Sequence, residues 1–463
     1  MTRRWKVFSI VSAGVFLSSL DLFIVNIAFP DIRRDFEGTS LAGLSWILDA
    51  YAIVFAALLV PAGRLADRAG RRRAFLAGLA LFTGASALCG LAPSVEALVA
   101  ARVLQAAGAA LIVPTSLALM LPEFPPEQRP KAVGLWSAMG AVGAAAGPPI
   151  GGLLVHASWR WVFLVALPVG LVALVAGMRV LREVREAPGA PAPDLPGAGL
   201  LAGAVALLVL GIVEGPSWGW DSPRVIGAFA VAAAGLVVFA RRSARHPSPV
   251  VEPSILRLPD FALINVATLV FFAAFGAMVL AASLFLTGVW GYSVLQAGLG
   301  LAPGPVMAAV GAVIGGRVAG RYGTRAAALP GALLFTASMT WLVLAMDDQP
   351  QYVTHYLPGN LLGGLGVGLV IAALSAAMAA AVPSERFATG TAIFSMARQI
   401  GIALGVAVLV AIVATPDAAD PAGVFQTAWT AMAAAGVLVA LGSAAIGRRR
   451  LRAPAALPAT ART

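Results

Sequence analysis

The chain has 463 residues, of which 60% are hydrophobic and only 11% are charged. Soluble domains carry about 25% charged residues, so this composition excludes an ordinary water-soluble surface and a polar disordered chain. The net charge is +11, but the basic residues lie between apolar runs, which indicates membrane topology rather than nucleic-acid binding. Cys89 is the single cysteine and the three histidines lack metal-ligand spacing. We therefore expect neither an intramolecular disulfide nor a metal site.

The first apolar run predicts a membrane helix that is retained in the protein. Arg3, Arg4 and Lys6 precede this run, as they would in a signal peptide. However, the run continues to Phe29 and lacks a small-residue cleavage site, which argues against removal.

A membrane-spanning helix needs about 20 mostly apolar residues. Fourteen runs meet this requirement, at 7–29, 42–62, 74–92, 96–120, 132–155, 161–181, 197–214, 224–240, 261–286, 297–316, 327–346, 355–381, 390–414 and 425–446. The seventh and eighth runs are short, and the alternative for them is a single re-entrant pair.

The basic residues alternate between the segments that connect these runs. With the N-terminus in the cytoplasm, most of the 32 Lys and Arg residues fall in cytoplasmic segments, as the positive-inside rule requires. The outer segments then hold only Arg33, Arg34, Arg160 and Arg224. An even number of spans also places both termini on one side. We predict a multi-pass protein of the cell membrane with both termini in the cytoplasm.

Two polar, proline-rich segments, 182–196 and 241–260, divide the spans into groups of six, two and six. The predicted fold class is an all-α membrane protein with two six-helix bundles and an inserted two-helix hairpin. The predicted parts are an N-terminal bundle at 1–181, a linker with the inserted helices at 182–260, a C-terminal bundle at 261–446 and a basic cytoplasmic tail at 447–463.

An internal repeat supports this division. Residues 63–72 follow the second span of the first bundle, and residues 316–325 follow the second span of the second bundle, with similar spacing of glycine and arginine. Parallel repeats of six helices place a substrate path between the two halves of a transporter.

The first copy of the repeated loop contains Gly63, Asp67, Arg68, Gly70 and Arg71. Its glycines permit a tight turn between two helices. Asp67 can accept hydrogen bonds from helix N-terminal amides or pair with an arginine. We expect this gating loop to latch the cytoplasmic ends of the two halves, because a loop that only set the topology would not need an aspartate at this spacing.

Ionisable and polar side chains interrupt the apolar runs at Asp21, Asp49, Arg102 and Gln105. A charged carboxylate deep in a span costs about 2.5–3.5 kcal/mol on insertion scales, so such acids usually mark ion or proton pathways. Arg102 and Gln105 share a helix face at i and i+3. A buried arginine needs an acid or carbonyl partner, which Asp21 or Asp49 could supply. The alternatives are a purely structural carboxyl at Asp21 and a structural ion pair at Arg102.

Two further charged residues lie in the later spans. Arg398, in span 13, could offset a bound anion or pair with an acid from the other half. Glu214 lies near the outer end of span 7, where it could form an outer cation site, although a solvated carboxylate is the simpler interpretation.

Span 5 has a stripe of small residues at Gly143, Gly147 and Gly151, with Pro148 beside it. Such a stripe lets another helix approach closely, and the proline bends the helix. We expect a tight, dry seam that discourages proton leak; ordinary glycine-mediated packing is the alternative.

These motifs resemble, over nearly the whole chain, the fourteen-span drug:proton antiporter branch of the major facilitator superfamily, the EmrB/QacA-type exporters. The gating loop resembles the superfamily signature between helices 2 and 3, and the segment around Asp21 resembles the first-helix motif of the branch. Arg102-x-x-Gln105 resembles its proton-relay motif, although Ala106 replaces the usual glycine, and the span 5 stripe resembles its antiporter signature.

The resemblance implies the major facilitator fold and the export of amphipathic, cationic small molecules, such as drugs or antibiotics, in exchange for protons. It implies no cofactor, with the proton gradient as energy source, and a monomer whose partners are substrate, protons and lipid bilayer, without nucleic acid. The alternative is an exporter of a lipid or of a neutral or anionic metabolite without proton coupling, which Arg102 and Arg398 would permit. The sequence has no nucleotide loop, metal cluster or pyrophosphate motif, so we do not expect an enzyme.

Overall fold

The computed structural model describes residues 2–184, 192–382, 386–414 and 421–445, and the predicted tail at 447–463 lies outside these ranges. The α-helices of the described ranges are α1 (Arg3–Asp35), α2 (Leu41–Ala69), α3 (Arg71–Gly90), α4 (Val95–Met120), α5 (Arg129–Val155), α6 (Trp161–Leu164), α7 (Ala166–Val180), α8 (Leu195–Trp218), α9 (Pro223–Arg245), α10 (Pro253–Leu256), α11 (Pro259–Gly288), α12 (Val294–Leu301), α13 (Pro303–Tyr322), α14 (Thr324–Ala345), α15 (Leu357–Ala381), α16 (Phe387–Val413) and α17 (Pro421–Ala445).

Within the described ranges, 14 helical stretches are long and apolar enough to cross a membrane, which confirms the predicted number of spans. One span is built from α6 and α7, another from α12 and α13, and a π-helical turn at Tyr352–Tyr356 leads into α15. The helices α8 and α9 contain 24 and 23 residues, and each is therefore about 35 Å long. Both are long enough to cross separately, which argues against the re-entrant pair.

The first six spans pack mainly against one another, with α1 against α5, α3 against α4, and α2 against α4. Among the last six spans, α13 and α14 both pack against α15, α11 packs against α16, and α14 packs against α17. We call these two groups the first and second bundles. Their boundaries at residues 181 and 261 stay predictions.

The inserted hairpin is attached through α8, which packs against α2 of the first bundle and α16 of the second. Its partner α9 packs chiefly against α8 and exposes apolar side chains along its outer surface. Asp194 joins the two helices at their base. Its carboxylate accepts a hydrogen bond from the backbone N–H of Gly197 at 2.9 Å, which caps α8, and pairs with Arg242 Nε of α9 at 2.7 Å.

The bundles meet most closely at one end of the molecule. We call the end that holds the start of α1 and the gating loop the arginine-rich end, and the other the opposite end. At the opposite end, α5 crosses α12 at two glycines. A Cβ on Gly152 would lie 3.3 Å from the Cα of Leu295, and a Cβ on Gly298 would lie 2.7 Å from the carbonyl oxygen of Pro148. The backbones of the two bundles are therefore in direct contact there.

Replacing Gly298 by valine should force α12 away from α5 and lower the free energy of unfolding by about 1–3 kcal/mol, the usual cost of overpacking. Thermal unfolding of the purified protein in detergent measures this change. Gly227→Val in α9 is the matched control, because a Cβ at Gly227 meets nothing within 4 Å. Equal melting temperatures for the two variants would argue against a tight crossing.

Candidate functional site

Three of the polar residues predicted from the sequence form one buried network. Arg102 Nη1 of α4 forms an ion pair with Asp21 Oδ2 of α1 and donates to Gln105 Oε1 at 2.6 Å. Gln105 Nε2 donates in turn to Asp21 Oδ1 at 2.8 Å and to the hydroxyl of Ser86 at 2.9 Å. The i, i+3 spacing of Arg102 and Gln105 places both side chains on the face of α4 that meets α1.

Arg102 also contacts α2. Its Nε donates to the carbonyl oxygen of Ile47 at 3.0 Å, and its guanidinium lies 4.2 Å from the ring centroid of Tyr51. Arg102 is 0% exposed and Asp21 is 4% exposed. A charge pair at this depth persists only when its hydrogen bonds are satisfied. The network therefore joins α1, α2, α3 and α4 through charge-assisted contacts.

Asp49 lies apart from this network. It is 0% exposed, and in the described part of the chain neither of its carboxylate oxygens has a hydrogen-bond partner. The hydroxyl of Ser45, one helical turn earlier, lies beside the carboxylate but donates to the carbonyl of Ala42 at 2.8 Å. Asp49 is two residues before Tyr51 and so lies about 200° around α2 from the side that faces Arg102.

The residues that share a helix face with Asp49 are apolar. Ala52, Ile53 and Ala56 share that face of α2 at i+3, i+4 and i+7. All three belong to the buried apolar cluster that also contains Val209 of α8 and Val406 of α16. The Asp49 carboxyl therefore shares its helix face with residues of an apolar cluster that extends into both bundles and the inserted hairpin.

A narrow cavity of about 20 Å³ lies between the two bundles. By the same measure a water molecule needs about 10–15 Å³, so the cavity has room for one water. Its lining comes from α1, α2, α4, α11 and α16 and consists of Leu22, Phe23, Asn26, Leu48, Arg102, Phe275, Gly276, Val279, Ile402 and Val406. The one charged residue of this lining is Arg102, whose Nη2 has no partner among the described residues. No acid lines the cavity, and drug-sized compounds do not fit in this conformation.

Arg398 of α16 is half-buried and lies one helical turn before Ile402, which lines this cavity. Its guanidinium lies 4.8 Å from the ring centroid of Phe272 in α11, and its buried Nε has no hydrogen-bond partner in the described ranges. Of the acids that the structure describes, none forms an ion pair with Arg398. Pairing with an acid of the other half, one of the two predicted roles, is therefore not seen in this conformation.

The gating loop is held mainly within the first bundle. Gly70 has φ +108°, a conformation that favours glycine. Asp67 Oδ1 pairs with Arg71 Nε at 3.0 Å, and Glu183, after α7, accepts from the backbone N–H of Arg72 at 3.0 Å. Arg68 lies in the last turn of α2, directly after Asp67. The expected latch between Asp67 and the second bundle stays a prediction.

A contact across the arginine-rich end comes instead from the segment that follows α9, which the sequence identified only as a polar linker. Arg64 at the end of α2 donates to the hydroxyl of Ser248. Arg386, just before α16, pairs with Glu252 at 3.1 Å and donates to Ser254 at 2.8 Å. This segment therefore bonds to both bundles. The signal in the sequence was the presence of an acid and two hydroxyl side chains in this segment, which could bond to arginines elsewhere in the chain.

The glycine stripe of α5 faces α1. A Cβ on Gly143 would lie 2.6 Å from the carbonyl oxygen of Phe16, and a Cβ on Gly147 would lie 2.9 Å from the Cβ of Phe23. Gly151 is equally crowded by α1. The stripe thus permits a close seam inside the first bundle, and the next helical position, Gly152, permits the crossing with α12.

Glu214 is separate from the other predicted site residues. It lies near the end of α8, where its Oε2 accepts a hydrogen bond from Ser217 at 2.6 Å. In the described residues no group of three or more His, Cys, Asp or Glu side chains could hold a metal ion. The function of Glu214 as an outer cation site stays a prediction.

Among the described residues, twelve membrane helices form two bundles and two more form the inserted hairpin. The first bundle holds a buried charge network, and a cavity lies between the bundles. This arrangement is that of a multi-pass membrane transporter. Residues 11–406 match the Major Facilitator Superfamily, and the chain belongs to this family. The family is one of transporters, and the chain is accordingly a transporter and not an enzyme.

Similar proteins include resistance and export proteins of actinobacteria. The chain is 36% identical to the tetracenomycin C resistance and export protein of Streptomyces glaucescens, over 88% of this chain and 75% of that protein. It is 36% identical to the multidrug resistance protein Stp of Mycobacterium tuberculosis, over 87% and 74% of the two chains. It is 33% identical to a probable actinorhodin transporter of Streptomyces coelicolor, over 88% and 72%.

The fold is also similar to solved structures. A bacterial homolog of the human lysosomal transporter Spinster, in an inward-facing and unoccupied conformation, matches with a TM-score of 0.70 and 18% identity, over 98% of this chain and all of that one. The predicted all-helical, two-bundle membrane fold is confirmed by this likeness and by the family match.

Proposed function

We propose that this transporter exports amphipathic small molecules of the drug or antibiotic type in exchange for protons. In the part of the chain that the structure describes, the Asp49 carboxyl is buried and has no hydrogen-bond partner, and this observation carries the proposed proton coupling. An ionised carboxylate without a partner in the membrane interior costs several kcal/mol, whereas a protonated carboxyl is far less costly to bury. Asp49 is thus the acid best suited to carry the proton, because its protonated, neutral form can stay buried in the membrane.

The network around Asp21 has a different role in this proposal. Arg102 and Gln105 bond both carboxylate oxygens of Asp21, so Asp21 serves as the fixed counter-ion of a buried cation. Because Arg102 also lines the cavity, substrate entering the cavity competes with this network. Such competition is a physical route by which substrate binding and proton movement can be linked.

The contacts between the bundles support alternating access. The opposite end is closed where α5 crosses α12 at two glycines, while at the arginine-rich end a segment with polar bonds connects the bundles. Polar bonds exchange readily with water. We propose that the arginine-rich end is cytoplasmic, as the positive-inside rule predicts, and that the bundles separate there to load substrate.

Two substrate charges are supported by different residues of the chain. The sequence predicts cations, and this prediction depends on the intramembrane acids. A second candidate function, export of acidic compounds, is favoured by the half-buried Arg398, for which no ion pair occurs among the described residues. The cell-membrane location, the cytoplasmic termini and the monomeric state are parts of the same proposal.

Everted vesicles containing the transporter test the coupling. They should acidify under respiration and lose part of the pH gradient when an exported compound is added, because each export cycle returns protons. Vesicles without the transporter are the control. Matched cationic, neutral and acidic compounds should each be assayed, and transport of the effective compounds that is indifferent to collapse of the pH gradient would contradict proton coupling.

A further inference from the structure

Arg398 and Arg102 are both arginines of the membrane interior, but among the described residues only Arg102 is paired with an acid. Arg102 bonds to Asp21, Gln105 and the carbonyl of Ile47. Arg398 lies 11 residues after the start of α16, about 16 Å into the helix, with an aromatic ring as its described contact. A cation at such depth is costly unless an anion or a strong acceptor compensates it at some stage of the cycle.

The surroundings of Arg398 are aromatic and lead into the cavity. Phe272 lies under its guanidinium, and the ring of Phe275 is 5.8 Å from that of Phe272. The ring of Phe275 is also 5.8 Å from that of Phe23 in the first bundle. Phe23, Phe275 and Ile402 line the cavity, and Ile402 is one helical turn from Arg398 on the same face of α16. Arg398, Phe272, Phe275 and Phe23 therefore form a contiguous row from α16 to α1, in which Phe272 is buried and Phe275 and Phe23 reach the cavity.

The chemistry of these four side chains predicts the kind of compound that they would bind. A guanidinium binds carboxylate or phenolate oxygens through charge-assisted hydrogen bonds, and its plane can remain stacked on a phenyl ring while it does so. Phenyl rings bind flat aromatic compounds in offset or edge-to-face geometry. We infer that Arg398, Phe272, Phe275 and Phe23 form a substrate subsite for planar aromatic acids, in which the guanidinium receives the anionic oxygen. This inference rests on the proposed export function and assigns its substrate class.

The present cavity of about 20 Å³ is too small for such a compound. Phe23 belongs to the first bundle and Phe275 to the second, so the substrate must part these two rings as it enters. Movement of the bundles then determines access to the subsite, and Arg398 faces the incoming compound from the arginine-rich side of the cavity.

Three compounds that share one ring system test the inference. They are 9-anthracenecarboxylate, 9-anthracenemethanol and 9-anthracenemethylammonium, and their binding to the purified full-length protein is followed by fluorescence. The native protein should bind the carboxylate at least about tenfold more tightly than the alcohol, since a charge-assisted hydrogen bond contributes about 1.5–3 kcal/mol. The ammonium compound should bind most weakly.

Arg398→Gln should weaken binding of the carboxylate about 10- to 100-fold and leave binding of the alcohol within about twofold. Arg398→Lys keeps the charge but loses the planar fork, so it should restore part of the carboxylate affinity. Arg241→Gln, an exposed arginine of α9, is the matched control. Melting temperatures identify variants that fail to fold. If the Arg398 variants fail to fold, the preference of the native protein for carboxylate over alcohol tests the subsite.

Several results would overturn the subsite. These are failure of the native protein to bind the carboxylate, equal affinity for carboxylate and alcohol, and equal losses for both compounds in Arg398→Gln. Proton coupling is assessed separately in vesicles. If the ammonium compound is exported at the expense of the pH gradient while the carboxylate does not bind, the subsite is wrong and proton-coupled export stands. If the carboxylate binds through Arg398 but no compound responds to the gradient, the coupling is wrong and the subsite stands.

Discussion

Replacement of Asp49 by asparagine is expected to abolish proton-driven transport while leaving the fold intact. Asparagine has nearly the shape of a protonated aspartate but cannot release a proton. The native carboxyl has no hydrogen-bond partner in the described structure, so the substitution breaks no bond there. We expect a melting temperature equal to or above that of the native protein, because no charge can be buried at this position.

Two transport assays separate coupling from substrate movement in the Asp49→Asn variant. Uphill uptake into everted vesicles, driven by a pH gradient, should fall at least about tenfold, because the asparagine cannot carry a proton. Exchange of labelled for unlabelled substrate at equilibrium, which needs no net proton movement, should continue.

Asp348→Asn is the matched control, because Asp348 is an exposed acid of a connecting segment. Full gradient-driven uptake by the Asp49 variant would refute the assignment of this carboxyl as the proton carrier. Coupling would then have to be sought in Asp21, the other acid that the sequence placed deep in a span.

Replacement of Arg102 by glutamine should destabilise the protein severely. The substitution leaves the Asp21 carboxylate buried at 4% exposure without its cation, and breaking a buried pair in this way costs about 3–5 kcal/mol. The carbonyl of Ile47 and the side chain of Gln105 would lose donors as well. We expect a large fall in melting temperature and in the yield of monodisperse protein.

A double variant shows whether the loss comes from the unpaired acid. Asp21→Asn together with Arg102→Gln removes both charges, so stability should largely return, while transport should not. The coupling energy between the two sites, measured by a double-mutant cycle, should therefore be large. An Arg102→Gln protein that is as stable as the native one would mean that the Asp21–Arg102 pair contributes little to the fold.

The two acids of the first bundle illustrate what the sequence could predict about the site. Both interrupt apolar runs, so the sequence alone showed that a charge at either position would have a high free-energy cost in a membrane. The sequence also identified Asp21 and Asp49 as the possible partners of Arg102. It could not choose between them, because α1, α2 and α4 meet through packing between residues far apart in the chain.

The inserted helices show the same limit. Their length and the charged segments around them predicted a hairpin between two bundles, and the structure describes two helices of spanning length there. That α8 lies against both α2 and α16 depends on the shapes of all three helix surfaces. The polar segment after α9, which bonds to Arg64 and Arg386, was likewise visible in the sequence only as a linker.

The sequence by itself determined that this is a membrane protein of fourteen spans, since hydropathy is a local property that each run expresses without its neighbours. It also determined which charged groups had to be explained. Only the tertiary structure decided that Arg102 binds Asp21, that Asp49 is buried with no hydrogen-bond partner among the described residues, and that the Arg398 guanidinium lies over Phe272. The physical reason is that a charge in lipid is compensated by groups from other helices. Tertiary packing, and not a local sequence pattern, determines which of these groups lie next to the charge.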